Sequence, residues 1–301
     1  MAALSNDASV RNHQDCEIIL QAIRIARGFE MRGAYNAAKL FWALAFSCEI
    51  QLSNAIGIQD GVDQLDSEIE ALLSVAKLEE TDPQWVAMMR RGQQGARENR
   101  TILLTEIPEA SVCRRCGEMI LGDSSSGCPA CHAQALTLRI FPPIYYLEPL
   151  PREQALSALA SAPREMEAAM RGLNAEQLSR PSKPGEWAIR DVAWHVLVAQ
   201  GLLAGRLEKM LAEVDPPLPS VPAWAVDAID SLSTSEILQQ YSSSRQATVE
   251  RLSRLAAEDW WRTGQHDEFG QVTVLQQASY FAKHERSHFP QLSEIRRALG
   301  V

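Results

Sequence analysis

Apolar side chains in the first third of the chain recur every three or four residues, the spacing of one face of an α-helix. The pattern predicts four helices, over residues 12–29, 34–55, 67–82 and 85–104. A glycine-rich break at 57–61 separates the second from the third, and Ser67 with Glu70 has the spacing of a capping box. Four helices joined by short breaks predict a first four-helix bundle that ends at Pro108.

The second half of the chain returns to helical spacing. It predicts four more helices, over residues 153–172, 187–212, 233–255 and 273–299. The first of them is expected to break or restart at Pro163, because proline lacks the backbone N–H that a helix interior needs. The last two open with capping boxes, Ser233 with Glu236 and Thr273 with Gln276. These segments predict a second four-helix bundle.

Between the two helical sets, residues 112–140 lose the helical pattern and contain four cysteines. The next stretch is rich in proline, which disfavours helix and predicts a linker. The predicted fold is all-α, with two four-helix bundles joined by a small cysteine-rich metal module and no strand outside that module. The predicted parts are a helical domain, a cysteine module, a linker and a C-terminal bundle, over residues 1–108, 109–141, 142–151 and 152–301.

The composition narrows the classes of function. The chain has 301 residues, of which 46% are hydrophobic, so it can form about two folded domains. Its formal net charge of −9 repels phosphate backbones and anionic lipids, which argues against nucleic-acid and membrane partners. The longest strongly apolar run, residues 40–48, is far shorter than the roughly 20 residues of a membrane helix. Because the N-terminus lacks a secretory pattern, we expect a cytoplasmic protein.

Four of the six cysteines form two Cys-x-x-Cys pairs, Cys113 with Cys116 and Cys128 with Cys131. In a cytoplasmic chain this clustering favours metal binding over disulfides. Thiolate pairs on two tight turns can surround one ion tetrahedrally, and Gly117 allows the first turn a positive φ. Zinc would make the site structural, and iron would make it a one-electron site. Four sulfur ligands leave no open position for substrate.

The cysteine segment carries a first resemblance. CRRCGEMILGDSSSGCPACHA, which starts at Cys113, resembles the rubredoxin-like module that ends rubrerythrins, and AAKLFWALAFSCEIQLSN at 37–54 is similar to a rubrerythrin bundle helix. The likeness covers residues 10–140. Rubrerythrins hold a di-iron centre with glutamate and histidine ligands, but this chain has other residue types at the matching positions: Gln14, Cys48, Gln51, Arg97 and Arg100. The resemblance thus implies the helical fold and the cysteine module, without the peroxidase chemistry, and a scaffold or partner-binding role.

Three histidines interrupt the predicted buried faces of the second bundle. In the last helix, the apolar stripe between Phe281 and Leu292 needs inward residues at two positions, and these are His284 and His288. His195 lies on the inward stripe of the second helix of this bundle. Burying imidazoles without partners is costly, and histidines four residues apart can clamp one ion. The pattern predicts a three-nitrogen metal site with an open coordination position.

The surroundings of these histidines carry a second resemblance. PGEWAIRDVAWH, which ends at His195, is similar to the start of the second helix of DinB-like proteins, and the segment from Gly270 through His288 is similar to their final helix. The likeness covers residues 152–301 and includes four helices in order. In that family, one histidine of the second helix and an H-x-x-x-H pair of the fourth bind a divalent ion. The resemblance therefore implies zinc or nickel at His195, His284 and His288.

The same resemblance implies a reaction. Better-understood members of the family are thiol-dependent transferases or isomerases, so the expected partners are a low-molecular-weight thiol and an electrophilic small molecule. An open divalent ion would lower the pKa of the thiol, and the thiolate would attack the electrophile. Family members often pair, so a homodimer is expected.

Two other classes of function stay open. One is a non-catalytic stress-response or partner-binding module whose metals are structural. The other is a redox protein in which cysteine-bound iron passes electrons to a metal at the histidines. A red protein with visible absorption would favour the redox class, and a colourless zinc protein would remove it.

Three further residues have a predicted place. Glu285 lies beside the histidine pair and is a candidate to orient an imidazole, although adjacent helix residues point about 100° apart. Trp187 is expected to pack between helices. His266 lies in the segment 263–270, which is a candidate to line the mouth of a site but is predicted instead to be a solvated loop.

Overall fold

The computed structural model of the chain describes residues 4–56, 62–76, 82–183, 185–221 and 232–300. The chain forms two compact units, Met1–Lys77 and Leu78–Val301. The predicted glycine-rich break at 57–61 lies outside the described residues. Within those residues, every helix is too short or too polar to cross a membrane.

The first unit is helical. Its described helices are α1 (Leu4–Glu30), α2 (Tyr35–Ile56) and α3 (Val62–Ala76). A tight turn with Gly33 at φ 71° joins α1 to α2, and the two helices pack against each other. The rings of Phe29 and Phe41 stack with centroids 5.5 Å apart, and Trp42 Nε1 donates a hydrogen bond of 2.8 Å to Glu30. This contact between aromatic rings fixes the predicted hinge as a helical hairpin.

The third and fourth predicted helices begin and end differently from the prediction. Helix α3 begins at Val62, and the Ser67 hydroxyl donates 2.9 Å to the backbone oxygen of Asp63, so Ser67 is not an N-cap. Helix α4 spans Pro83–Arg97 and ends before the predicted Leu104, because Asn99 adopts a left-handed φ of 50°. Helix α4 belongs to the second unit, so the predicted first four-helix bundle is not one compact unit. The resemblance to rubrerythrins stays a prediction.

The cysteine segment forms a three-stranded antiparallel sheet. Its strands are β1 (Ala110–Cys113), β2 (Met119–Leu121) and β3 (Leu138–Phe141), in the order β2-β1-β3. The β1–β2 pairing brings the first Cys-x-x-Cys turn to the end of a hairpin. The sheet agrees with the loss of helical spacing in this segment.

A four-helix bundle follows the proline-rich stretch, as the sequence predicts. Helix α5 packs against α8 and α9, and α7 packs against the same two helices. A short helix α6 lies between α5 and α7 in the chain. The bounds are α5 (Arg152–Met170), α6 (Ala175–Ser179), α7 (Ile189–Ala212), α8 (Thr234–Ser253) and α9 (Val274–Leu299).

Two of the helix starts in this bundle confirm the capping predictions. The side chain of Ser233 accepts from the backbone N–H of Glu236 at the start of α8, and that of Thr273 accepts from Gln276 at the start of α9. The expected break at Pro163 is wrong, because α5 continues through it. Buried neighbours on both sides of the proline hold the helix, since a missing N–H costs one hydrogen bond and packing offsets that loss.

A small second sheet corrects the all-α prediction. Strands β4 (Pro217–Leu218), β5 (Thr263–His266) and β6 (Gly270–Thr273) form it in that order, with β5 and β6 antiparallel. Gly264 makes the close approach possible, since a Cβ there would lie 2.7 Å from Leu218. The segment predicted as a solvated loop is therefore a β-hairpin.

The bundle core has two apolar clusters with polar residues between them. The first cluster includes Leu159, Leu203 and Phe281, and the second includes Met166 and Leu292. Along each of three helices, buried polar side chains lie between the residues of one cluster and those of the other. We call them the polar level: Gln200 on α7, Arg245 and Thr248 on α8, and Glu285 on α9.

Candidate metal centre

Three histidines from two helices of the bundle meet at one point. His195 Nε2 lies 3.0 Å from His284 Nε2, and His288 Nε2 lies 3.3 Å from His284 Nε2. One ligand atom from each of the three rings lies within 4.8 Å of the others. The structure thus brings together the three residues that the periodicity selected.

Helix geometry explains why these side chains meet. His284 and His288 are four residues apart on α9, so they lie one above the other on the same face. Helix α7 packs against that face and carries His195. The ring centroids of the three imidazoles are 4.8 to 5.0 Å apart. Rigid helices therefore fix all three nitrogens.

Burial makes these imidazoles neutral near pH 7. The rings are half-buried, and desolvation lowers the pKa of His195 to about 4 and that of His284 to about 3, with the neighbouring imidazoles adding repulsion. Burial also lowers the pKa of His288, although the hydrogen bond between His288 and Gln291 acts to raise it. Neutral imidazole is the form that binds a metal, so the site is ready to act as a ligand set.

The hydrogen bonds around the rings also fit a cation. His288 Nδ1 lies 2.9 Å from Gln291 Oε1, so Nδ1 is the donor and the Nε2 lone pair faces the other histidines. His284 Nδ1 is buried and has no hydrogen-bond partner in the structure. Three Nε2 atoms that face one another cannot all find a proton donor among themselves, whereas one ion satisfies all three. An all-nitrogen set of this kind suits zinc or nickel.

Aromatic rings surround the histidines. Trp187 stacks on His288 of α9 with centroids 6.2 Å apart and also contacts His195 of α7, so its ring contacts both helices beside the site. Tyr280 stacks on His284 at 6.0 Å, and the ring of Tyr146 meets the same imidazole edge-on at 6.0 Å. These rings bury the histidines in part and form an aromatic surround for the ligand atoms.

A cavity of about 180 Å³ reaches the histidines from one side. His195 and His284 form one end of it, and Phe281 and Tyr280 contribute apolar wall. The described lining also includes polar side chains, among them Arg206 and Glu268. The cavity gives a small molecule access to the point where the three nitrogens meet.

Glu285 does not orient an imidazole. Its side chain is 1% exposed, forms an ion pair with Arg245, and accepts a hydrogen bond of 3.1 Å from Tyr241. The buried stripe of α9 runs through Phe281, Glu285 and Leu292, with the histidines on its edge. The sequence analysis centred this stripe on His284, one residue before Glu285, and for that reason it missed the ion pair. Arg245 carried a signal, because it lies on the apolar stripe of α8.

His266 differs from its predicted place. His266 is buried in the hairpin, where its Nε2 lies 2.9 Å from Arg206 and its ring stacks on Phe269 at 4.2 Å. His132 adopts a left-handed φ of 57° in the second cysteine turn. The side chain of His13 lies outside the described residues. Among the described residues, neither His266 nor His132 belongs to a group of possible metal ligands.

The four cysteines also come together, at the ends of two similar turns. Cys113 Sγ lies 3.6 Å from Cys131 Sγ, Cys116 Sγ lies 3.6 Å from Cys128 Sγ, and all four sulfurs lie within 4.8 Å of one another. Each turn closes with a backbone hydrogen bond, from Gly117 to Cys113 at 2.9 Å and from the residue after the fourth cysteine to Cys128 at 3.0 Å. The sulfurs surround a space of the right size for one ion.

Backbone amides activate one of these thiols. The amides of Cys116 and Arg115 point at the sulfur of Cys113 and lower its pKa to about 6. A thiolate is the form that binds metal, so the first turn favours the charged state at Cys113. Burial and the neighbouring sulfurs raise the pKa of Cys116 to about 12, and a cation among the four sulfurs would offset that effect. The resemblance to a rubredoxin-like module stays a prediction.

The lowered histidine pKa values predict acid sensitivity of the metal-free protein. The folded values of His195 and His284 lie below the ordinary value of 6.5, so between pH 6.5 and about 4 the unfolded chain binds more protons. The contribution of these two histidines to the free energy of unfolding is fully present above pH 6.5 and falls as the pH drops through this window. Urea unfolding at pH 7, 6 and 5 measures it. A double variant with glutamine at both positions should show a shallower fall, and an equal fall would contradict the prediction.

Comparison with known proteins places the second half of the chain. Residues 158–292 match the sequence model of the DinB superfamily. YuaE of Bacillus subtilis (strain 168) is 26% identical over 145 residues, which are 43% of this chain and 90% of that protein. A Bacillus cereus (strain 03BB102) protein named "Putative metal-dependent hydrolase" is 25% identical over 160 residues, 52% of this chain and 92% of that protein.

Two solved structures are similar to the same part of the chain. YfiT from Bacillus subtilis, described as "a probable metal-dependent hydrolase with an unusual four-helix bundle topology", has a TM-score of 0.47 and 18% identity, covering 53% of this chain and 94% of that one. A DinB-like protein from Bacillus cereus ATCC 10987 has a TM-score of 0.37 and 22% identity, covering 49% and 92%. With the family match over residues 158–292, the C-terminal bundle of this chain is a DinB-like domain.

Proposed function

We propose that the DinB-like domain is a metal-dependent enzyme that transfers a low-molecular-weight thiol to an electrophilic small molecule. His195, His284 and His288 hold its zinc or nickel ion. The observation that carries the proposal is the meeting of three neutral imidazoles, two of which, His195 and His284, line a cavity with aromatic and apolar walls.

The protein's own residues have distinct tasks in this reaction. The three Nε2 atoms bind the ion, and Gln291 orients the ring of His288 through its Nδ1. Trp187 and Tyr280 form part of the aromatic surround of the ligand atoms. The bound divalent ion would supply a positive charge that lowers the pKa of a thiol beside it. The cavity then holds the electrophile within reach of the sulfur.

The names of several relatives point to hydrolysis, but the surroundings of the histidines favour a thiol. Activating water at a metal is helped by a nearby general base, such as a carboxylate. Glu285, next to the ligands in sequence, is engaged by Arg245 and Tyr241. Glu268, a carboxylate that lines the described cavity, accepts a hydrogen bond of 3.3 Å from Ser220. A thiol with an ordinary pKa near 8.5 needs no such base.

A fluorescence assay tests the proposal. The metal-loaded protein is mixed with glutathione, bacillithiol or mycothiol and with monochlorobimane; a C–S bond forms, the C–Cl bond breaks, and chloride and a proton are released. We expect metal-dependent fluorescence with one of the thiols and a loss of at least about 100-fold in His195→Ala, since even outer-shell changes cost 10- to 100-fold. Chloride release without thiol consumption would instead support a hydrolase. If neither reaction occurs, the proposal that the metal is catalytic is contradicted.

We also propose that the four cysteines hold one zinc or iron ion that stabilises the small sheet at residues 110–141. The segment buries few apolar side chains of its own, chiefly Ala133 with the cysteines, so a metal replaces the missing core. A colourless zinc-loaded protein would remove the electron-transfer alternative, and a red iron-loaded protein would support it.

A further inference from the structure

The cavity that begins at the histidines has a second polar end, and Arg206 occupies it. Arg206 lies on α7, eleven residues after His195, and this residue is 6% exposed. The inference below rests on the proposed function of the histidine end, and it concerns which molecules the cavity accepts.

The guanidinium of Arg206 has only neutral partners among the described residues. Nη1 donates 3.3 Å to Gln277 Oε1, and Nη2 donates 3.0 Å to the backbone oxygen of Pro219 and lies 2.9 Å from His266 Nε2. The Nε–H is buried and has no hydrogen-bond partner. Asp267 and Glu268 act on Arg206 from a distance, but a buried positive charge without a direct ion-pair partner is still unfavourable, and an unpaired donor adds to that cost.

A purely structural role explains only part of this arrangement. The bond to Pro219 holds β4, and the contact with His266 holds the hairpin, so Nη1 and Nη2 have structural tasks. Neither contact needs a charged side chain, and neither uses Nε. A positive charge in the wall of a cavity, held only by neutral groups, fits a site for an anion.

The acidic groups nearby do not neutralise Arg206. Glu268 lines the same cavity, where it accepts a hydrogen bond of 3.3 Å from Ser220, and burial raises its pKa. Asp267 accepts hydrogen bonds from the backbone and the hydroxyl of Ser220. No ion pair between either carboxylate and Arg206 is found within 4.0 Å in the described part of the chain. An incoming anion therefore has an open partner.

The distance between Arg206 and the histidine end of the cavity limits the length of the ligand. Gln277, which binds Arg206, lies seven residues before His284 on α9, which is about 10 Å along the helix. A cavity of about 180 Å³ accepts a small molecule and excludes a folded polymer. The ligand should thus carry its two polar groups about 10 Å apart or less.

We propose that Arg206 forms a carboxylate-binding subsite, so that the thiol used at the histidine end is one with a carboxylate at its other end. The guanidinium pairs with the carboxylate and places the sulfur near His195 and His284. Arg206 is then a residue that determines which thiol is accepted.

Two matched probes test the subsite: 6-mercaptohexanoate has a carboxylate, and 6-mercaptohexanol has the same chain without it. Their dissociation constants are measured by calorimetry on the metal-loaded full-length protein. We expect the wild type to bind the carboxylate probe at least tenfold more tightly. Arg206→Gln should bring the ratio below about two with unchanged metal content, and Arg206→Lys should restore part of the preference. Arg297→Gln, an exposed change on α9, is the control and should keep the wild-type ratio.

Four outcomes separate this inference from the proposed function. A preference that disappears in Arg206→Gln supports both. Equal binding of the two thiols by the wild type overturns the carboxylate subsite and leaves the thiol function standing. If neither thiol binds but hexanoate does, and Arg206→Gln abolishes that binding, the subsite is supported and the thiol function is overturned. If thiols and hexanoate all fail to bind, both are overturned.

Discussion

Replacing His284 with alanine should lower the metal content of the purified protein from two ions to one. His284 lies at the centre of the histidine cluster, because its Nε2 contacts the Nε2 atoms of both other rings. Two remaining imidazoles hold an ion far less tightly, and we expect the affinity of this site to fall by more than about 100-fold. Elemental analysis by mass spectrometry, with a competition titration against a chelator, measures both quantities.

The reciprocal variant shows whether the two sites are independent. Cys116→Ala should remove the cysteine-bound ion and leave the histidine-bound ion, since the two clusters share no ligand. Ser293→Ala, an exposed change on α9, is the control and should keep both ions. Two ions retained in His284→Ala would contradict the ligand assignment, and loss of both ions in either variant would contradict the independence of the sites.

Replacing Glu285 with alanine should lower the free energy of unfolding by about 3 to 5 kcal/mol. The carboxylate and the Arg245 guanidinium are each 1% exposed, so the variant leaves a buried positive charge without its anion. Two nitrogens of Arg245 already have no hydrogen-bond partner, so the structure offers the guanidinium little compensation. Urea unfolding of the metal-free protein, followed by circular dichroism, measures the change.

Two comparisons make this measurement specific. Glu294→Ala removes an exposed carboxylate from the same helix and should change stability by no more than about 0.5 kcal/mol. A double variant with leucine at 285 and methionine at 245 replaces the pair by apolar side chains and should recover most of the loss. A single variant as stable as the wild type would show that the ion pair is not needed for folding.

Much of the C-terminal bundle could be predicted from the sequence because its signals are local. The capping boxes at Ser233 and Thr273 fix two helix starts through neighbours three residues away. The i, i+4 spacing of His284 and His288 places both rings on one face whatever the rest of the chain does. The cysteine turns are equally local, since each is closed by a bond between its own residues.

What the sequence did not reveal depends on distant partners. The strands at 263–266 and 270–273 are four residues long, too short for a periodic signal, and they form because they pair with each other and with Leu218. Buried charges are equally hard to foresee, because Arg245 and Arg206 enter the interior only where another helix or hairpin supplies acceptors. The end of α4 at Arg97 depends on one left-handed residue, Asn99, which periodicity does not detect.

The polar level constrains how the helices can slide during folding. A shift of α8 by one turn relative to α9 would move Arg245 by about 5.4 Å from Glu285 and would bring Tyr241 or Thr248, which carry no charge, opposite the carboxylate. An entirely aliphatic interior would tolerate such a displacement, whereas this one penalises it by stranding two charges. The same alignment fixes the axial position of α9 relative to α7. The polar level adds little to stability compared with an apolar core, but it keeps His195 on α7 opposite His284 and His288 on α9.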